Sequence, residues 1–165
     1  MPTFDSLKQL KKYVDEVLQD VAENEVKKEI ITTIKEHIDS DVNNVYDPDV
    51  YNRKYYLENS LDGKVESTTS GLELTVEHDE SKMHYNSVVS GDEVNGNDVA
   101  WWIEHGEIYP LWGYESRDGK PFTYLEPRPY MKNSYNELKD ENVIPHVVKK
   151  ALKKRKIDSE VLWRG

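Results

Sequence analysis

Apolar residues recur at three- and four-residue steps from the start of the chain. Leu7, Leu10, Val14, Val17 and Val21 form one stripe, which predicts an amphipathic helix beginning near Phe4. Ser6 and Gln9 in "SLKQ" offer a capping box at its start. The stripe should continue through positions 24 and 28, but Asn24 and Lys28 stand there. It restarts, phase-shifted, at Val26, Ile30, Ile31, Ile34 and Ile38. The pattern predicts two helices, or one helix sharply offset near Asn24.

The period then changes from helical to alternating. In "GLELTVEHD", Leu72, Leu74 and Val76 alternate with Glu73, Thr75 and Glu77, the pattern of a strand with one buried face. A weaker strand over Lys64 to Thr68 pairs with it through "TTSG", and "MHYNSVV" offers a third. Asp47 and Pro48 mark a turn or helix start before the hairpin, and "SGDEVNGND" reads as a loop. "DVAWWIEHG" predicts a short helix with Asp98 as N-cap and Gly106 as its stop. Its spacing makes Val99, Trp102 and Ile103 the core-facing residues and turns Trp101 toward another surface.

No periodicity survives from Glu107 to Arg128, although Tyr109, Leu111, Trp112, Tyr114, Phe122 and Tyr124 fall there. A long aromatic loop of this kind either binds something or covers its own core. It ends in "PRPYM", where Pro127 and Pro129 fix the backbone on either side of Arg128. Pro129 suits the first turn of a helix, and that final helix runs to about Lys156, with Pro145 kinking or interrupting it. A pre-ordered Arg128 reads as a clamp, either on this chain's Glu104 or Glu126 or on a neighbouring subunit. The candidate interface residues are Trp101, Tyr109, Trp112, Tyr114, Arg128 and Tyr130.

Composition sharpens this picture. The 165 residues are enough to bury about 70% of the unfolded surface, yet only 36% are apolar and 33% are charged, so the core is thin. Eleven Tyr and four Trp against two Phe favour rings with one buried side and one wet side, as at interfaces. Both features point toward assembly with other subunits. The net charge of -10 argues against duplex binding, which depends on Lys and Arg neutralising phosphates. Against that background, His146 to Lys156 carries six basic residues and no acid. That basic run either complements its own helix dipole or docks on an acidic partner. The absence of Cys removes disulfides, thiolate zinc sites and cysteine nucleophiles. With no apolar signal core and no apolar run longer than "VAWWI", neither secretion by signal peptide nor membrane spanning is supported.

Candidate chemistry is sparse. In "EHDESKMH", Glu77, His78, Asp79, Glu80 and His84 crowd together, and alternation would put His78 and Glu80 on one strand face as a carboxylate-oriented imidazole. The segment matches no zinc spacing. "DEVNGND" fails the EF-hand pattern at positions three and twelve, and neither a P-loop nor a nucleophile elbow occurs. The reading is non-enzymatic, with no cofactor, no metal and no catalytic residue.

The ordered series "VYDPDVYNRKYYLENSL", a strand hairpin, "VAWWIEHG" and "PRPYM" opening a C-terminal helix resembles the small neck, or tail-completion, proteins of long-tailed bacteriophages, the gene-product-ten type. The residues carrying the resemblance are Tyr51, Arg53, Leu57 and Ser60; Ile103, Glu104 and Gly106; and Pro127, Arg128 and Pro129. The likeness covers about residues 26 to 156. It implies a single α+β domain: an N-terminal helical extension over 1–22, a neck-protein-like core over 23–156 and a tail over 157–165. It further implies a structural subunit of the head–tail connector in the virion, made in the host cytoplasm. Such a subunit closes into a ring of about six or twelve copies, contacts other connector and tail proteins, and lets DNA pass through its lumen without gripping it. An acidic wall suits that passage. The rival reading is a small acidic inhibitor or DNA mimic whose carboxylates imitate phosphates.

Overall fold

A computed structural model describes residues 4–45, 55–86, 91–106 and 126–157. Along the chain it contains helices α1 (Leu7–Val21), α2 (Lys27–His37) and α3 (Tyr56–Ser60), then strands β1 (Leu61–Thr68), β2 (Gly71–His78), β3 (Tyr85–Asn86) and β4 (Glu93–Val94). Helices α4 (Gly96–His105), α5 (Tyr130–Asp140) and α6 (Val143–Lys154) complete it. The fold is α+β. The chain forms two compact units: Met1–Thr33 with Asp62–Glu77 and Ser134–Gly165, and Ile34–Leu61 with His78–Asn133.

In the first unit, Ser6 caps α1, its hydroxyl accepting from the Gln9 N–H at 3.3 Å. The Gln9 side chain reaches back one residue further than a standard capping box, accepting from the Asp5 N–H at 2.9 Å. The phase shift near Asn24 is a π-helical stretch, Ala22–Val26. One wider turn moves the apolar stripe from the register of Val21 to that of Val26, so both residues enter one core. Asn24 sits on this bulge, its amide donating to the Asp20 carbonyl and carboxylate. Val21 and Val26 pack with Ala151 and Leu152 of α6, flanked by Val17, Leu18, Leu74, Val147 and Val148. Arg155, just past α6, donates from Nη1 to Glu25 at 3.0 Å and from Nε to Asp20 at 3.1 Å. These bonds from Arg155 hold both carboxyls below their ordinary pKa.

β1 and β2 form the expected hairpin, with β1 starting three residues earlier than the pattern suggests. Leu74, Val76 and His78 take the shielded face while Leu72 stays exposed near the turn. The third strand does not join them. β3 is two residues long and pairs antiparallel with β4, inside the stretch read as a loop, to make a separate sheet. Pro145 does not break the last helix either. The break lies earlier, at Glu141–Asn142, where Asn142 takes φ 52° and precedes α6. Asn tolerates this left-handed geometry, and Pro145 then falls in the first turn of α6, where its missing N–H leaves nothing unpaired.

In the second unit the α2 register continues through a second π-helical stretch, Ile38–Asn43, burying Ile38 and Val42. Leu57, Leu61, Met83 and Ala100 are also buried. The N-cap of α4 is Asn95, not Asp98. Its side chain accepts from the Asn97 N–H at 2.8 Å and the Asp98 N–H at 3.2 Å. Asp98 lies instead in the first turn, where its charge favours the positive helix end. Gly96 approaches Met83 so closely that an added Cβ would lie 2.3 Å from the Met83 Cβ.

Candidate functional site

The second unit contains a buried chain of hydrogen bonds. Ser60 closes α3 with 0% of its surface exposed, and its hydroxyl donates to the Leu57 carbonyl at 3.0 Å. His78, the last residue of β2, places Nδ1 2.8 Å from that hydroxyl and Nε2 2.8 Å from the Tyr130 hydroxyl. Tyr130 opens α5 and is 1% exposed. Because the single Ser60 proton goes to Leu57, the network assigns the His78 proton to Nδ1, leaving Nε2 to accept from Tyr130. Burial lowers the His78 pKa, outweighing a hydrogen bond to the Leu57 backbone. Burial also raises the Tyr130 pKa, reinforced by the Glu104 charge. Neutral imidazole and protonated phenol are the forms this chain requires.

A second set of contacts joins the end of α4 to the start of α5. Gly106 ends α4 at φ 68° and donates to the Trp102 carbonyl at 2.8 Å. The Arg128 N–H takes the next orphan carbonyl, that of Ile103, at 2.8 Å. An added Cβ on Gly106 would sit 2.5 Å from the Pro127 ring, so glycine serves both the left-handed turn and the close approach. On the other side of the junction, Pro129 occupies the position before α5, where it has no side-chain oxygen to cap the helix. Glu104 supplies the missing acceptor: its carboxylate receives the Met131 N–H at 3.0 Å and the Lys132 N–H at 3.1 Å. A carboxylate there also faces the positive end of the helix dipole.

This geometry redistributes the residues singled out from the sequence. The Glu104 carboxylate is engaged by helix N–H groups rather than by Arg128. Among the described residues Arg128 makes no ion pair with Glu104 or Glu126, and its visible work is done by its backbone. Tyr130 is inside its own unit, its ring edge-on to His78 with centroids 5.9 Å apart, so it offers no surface to a partner. Trp101 is 46% exposed and stacks on His105 at 4.5 Å, while Val99, Trp102 and Ile103 are half-buried. Tyr109, Trp112 and Tyr114 lie outside the described residues, as do Asp47, Pro48, Tyr51 and Arg53.

The histidine-rich segment is not brought together. β2 ends at His78, so Glu80 leaves the strand face for a 3-10 turn and accepts from Asn95 and Asn97. Asp79 caps that turn through Ser81 and Lys82, and His84 stands in solvent 3.8 Å from Glu93. Among the described residues no group of three or more His, Asp or Glu could hold a metal ion, and no helix is long and apolar enough to cross a membrane. The Ser60–His78–Tyr130 partnership was not read from the sequence, since 52 positions separate His78 from Tyr130. Glu104 had one legible signal: a helix opening at "PRPY" has no local N-cap oxygen and needs one from elsewhere.

Residues 6–154 match the family described as YomN. The chain belongs to the YomN family. A protein of Bacillus subtilis (strain 168) described as "SPbeta prophage-derived uncharacterized protein YomN" is 31% identical over 115 residues, which cover 70% of this chain and 68% of that relative. No solved structure matches the chain. The YomN relationship makes the chain a phage-derived protein. In this YomN family member, Ser60, Ile103, Glu104, Gly106, Pro127 and Arg128 all take part in the buried network or the α4–α5 junction.

Proposed function

We propose that this chain is a structural subunit of the phage head–tail connector, joining portal-side proteins to the tail as a ring around the DNA. The observation that carries this reading is the convergence just described. Ser60, Ile103 to Gly106 and Pro127 to Met131, from three of the segments that resemble the neck proteins, meet through packing and hydrogen bonds, as expected of residues that hold a subunit's shape. The phage origin of the family supports the same reading, as do the thin core and the excess of Tyr and Trp. Four of the 32 acidic residues are engaged within the fold rather than offered as phosphate mimics. Asp20 and Glu25 face Arg155, Asp41 accepts from Asn133 at 2.9 Å and Glu104 caps α5, so these carboxylates serve the fold. The test is a reconstruction of the particles made by the phage that encodes this chain. Density for a ring of about six or twelve copies at the head–tail junction is expected; a junction lacking the chain would refute the proposal.

A further inference from the structure

Two exposed faces of the first unit carry opposite charge, and nothing among the described residues covers either. The first is the outer face of the β1–β2 hairpin. An added Cβ on Gly63 would lie 3.3 Å from Val76 Cγ2, and Leu74 packs on the core shared with α6. Alternation therefore turns Asp62, Lys64 and Glu66 of β1 outward together with Glu73, Thr75 and Glu77 of β2. All six are exposed. Lys64 pairs with Glu66 and also feels Glu77 from the other strand, and both raise its pKa above the ordinary lysine value. Four carboxylates thus share one ammonium on a two-stranded sheet, where like charges across the strands are destabilising.

The second face is the outer side of α6. Ile144, Val147, Val148, Ala151 and Leu152 take the inner side, toward the core. His146, Lys149, Lys150 and Lys153 recur at three- and four-residue steps on the opposite side, and all four are exposed. Lys154 and Arg155 reach Glu25 and Asp20 instead, whereas Lys149, Lys150 and Lys153 meet no carboxylate among the described residues. Lys149 and Lys153, four apart, repel each other along the helix. Each face has the charge that the other lacks. Both point outward from the same unit, so one copy cannot bring its own two faces together. A nucleic acid would neutralise the lysines and leave the hairpin carboxylates unmet, but a second copy satisfies both faces at once.

We propose that the outer face of α6 docks on the outer face of the β1–β2 hairpin of a second copy of this chain. Lys149, Lys150 and Lys153 then lie against the carboxylates of Glu66, Glu73 and Glu77. Because the two faces differ, the contact is heterologous and repeats from copy to copy until it closes. Exposed ion pairs are individually weak, so the contact is reversible and sensitive to salt. This inference stands on the two faces and does not depend on the connector reading.

The test is sedimentation of the full chain at about 0.1 mM. In about 0.15 M salt, repulsion between the net charges is screened beyond about 8 Å while touching charges still attract, and reversible self-association should appear. About 0.5 M salt should weaken it at least about tenfold. Lys149→Glu with Lys150→Glu and Lys153→Glu should do the same, as should Glu66→Lys with Glu73→Lys and Glu77→Lys, with thermal unfolding of both variants still cooperative. The milder Lys149→Gln with Lys153→Gln should act in the same direction. Mixing the two charge-reversed variants should restore association, because each supplies the face that the other needs. A wild-type chain that stays monomeric, association that ignores either set of changes, or a mixture that does not regain it overturns the proposal. So does binding of a labelled DNA duplex in about 0.15 M salt that the α6 changes abolish and the hairpin changes leave intact, because nucleic acid would then be the occupant.

Discussion

The Tyr130 hydroxyl lies 2.8 Å from Nε2 of His78, and together they tie the first turn of α5 to the last residue of β2. Tyr130→Phe removes the donor, keeps the ring and leaves Nε2 as a buried acceptor without its partner. Such a loss costs about 1–3 kcal/mol. Chemical denaturation should show it as a lower midpoint with an unchanged slope, and pairing with His78→Gln should give a smaller loss than the two single changes added together. Strict additivity would mean that the bond contributes nothing to stability.

The same pair gives a pH dependence with a definite sign. Burial lowers the His78 pKa below its ordinary 6.5, so between the folded and unfolded values the unfolded chain binds more protons. Stability from His78 is therefore complete above about pH 6.5 and falls as pH drops through that value toward the folded pKa. The depressed carboxyls of Asp20, Glu25 and Asp41 act lower, below their ordinary 3.8 to 4.5. For Asp41 burial alone would raise the pKa, but hydrogen bonds from Asn133, Ser40 and His37 outweigh it. Melting temperatures from about pH 8 to about pH 5 should decline for the wild type and stay flatter for His78→Gln. Parallel curves would place the effect elsewhere.

Glu104→Ala should cost about 1 kcal/mol, as losing a helix cap does, because Pro129 cannot replace the lost acceptor. Glu104→Gln keeps an acceptor oxygen but not the charge and should fall between. Hydrogen exchange at Met131 and Lys132 is the local readout: both amides should exchange faster in the alanine variant. Unchanged protection there would exclude the capping role.

Much of this fold was legible because it follows from periodicity. The alternation at Leu72, Leu74 and Val76 located β2, and the broken stripe at Asn24 located the offset. Periodicity could not say that the offset was a π-helical turn, since one inserted residue and two separate helices leave the same gap in a stripe. Local signals also competed. Asp98 and Asn95 are both good caps; Asn95 caps the helix, and Gly96 in its first turn lies against Met83. Pro145 resembled a kink until Asn142 absorbed the turn. The site was hardest to read because its partners meet only in three dimensions. His78 looked like a member of its local acidic cluster, yet its partners are Ser60, 18 residues before it, and Tyr130, 52 after it. The sequence marks Arg128 as a charge, whereas its N–H group makes the observed contact.

Arg128→Lys separates backbone from side chain. The N–H to Ile103 survives the change, so thermal unfolding of the isolated chain should be unaltered. If the guanidinium clamps a neighbouring subunit, incorporation into particles should fall, because lysine lacks the planar fork. Altered unfolding would assign the guanidinium to this chain, and normal incorporation would remove it from the interface.

Deletion of the gene for this chain from its phage, with examination of the lysate, bears most directly on the connector role. Filled heads and finished tails should accumulate apart, and adding the purified chain to that lysate should join them and restore infectivity. Joined, infectious particles in the absence of the chain would contradict that role.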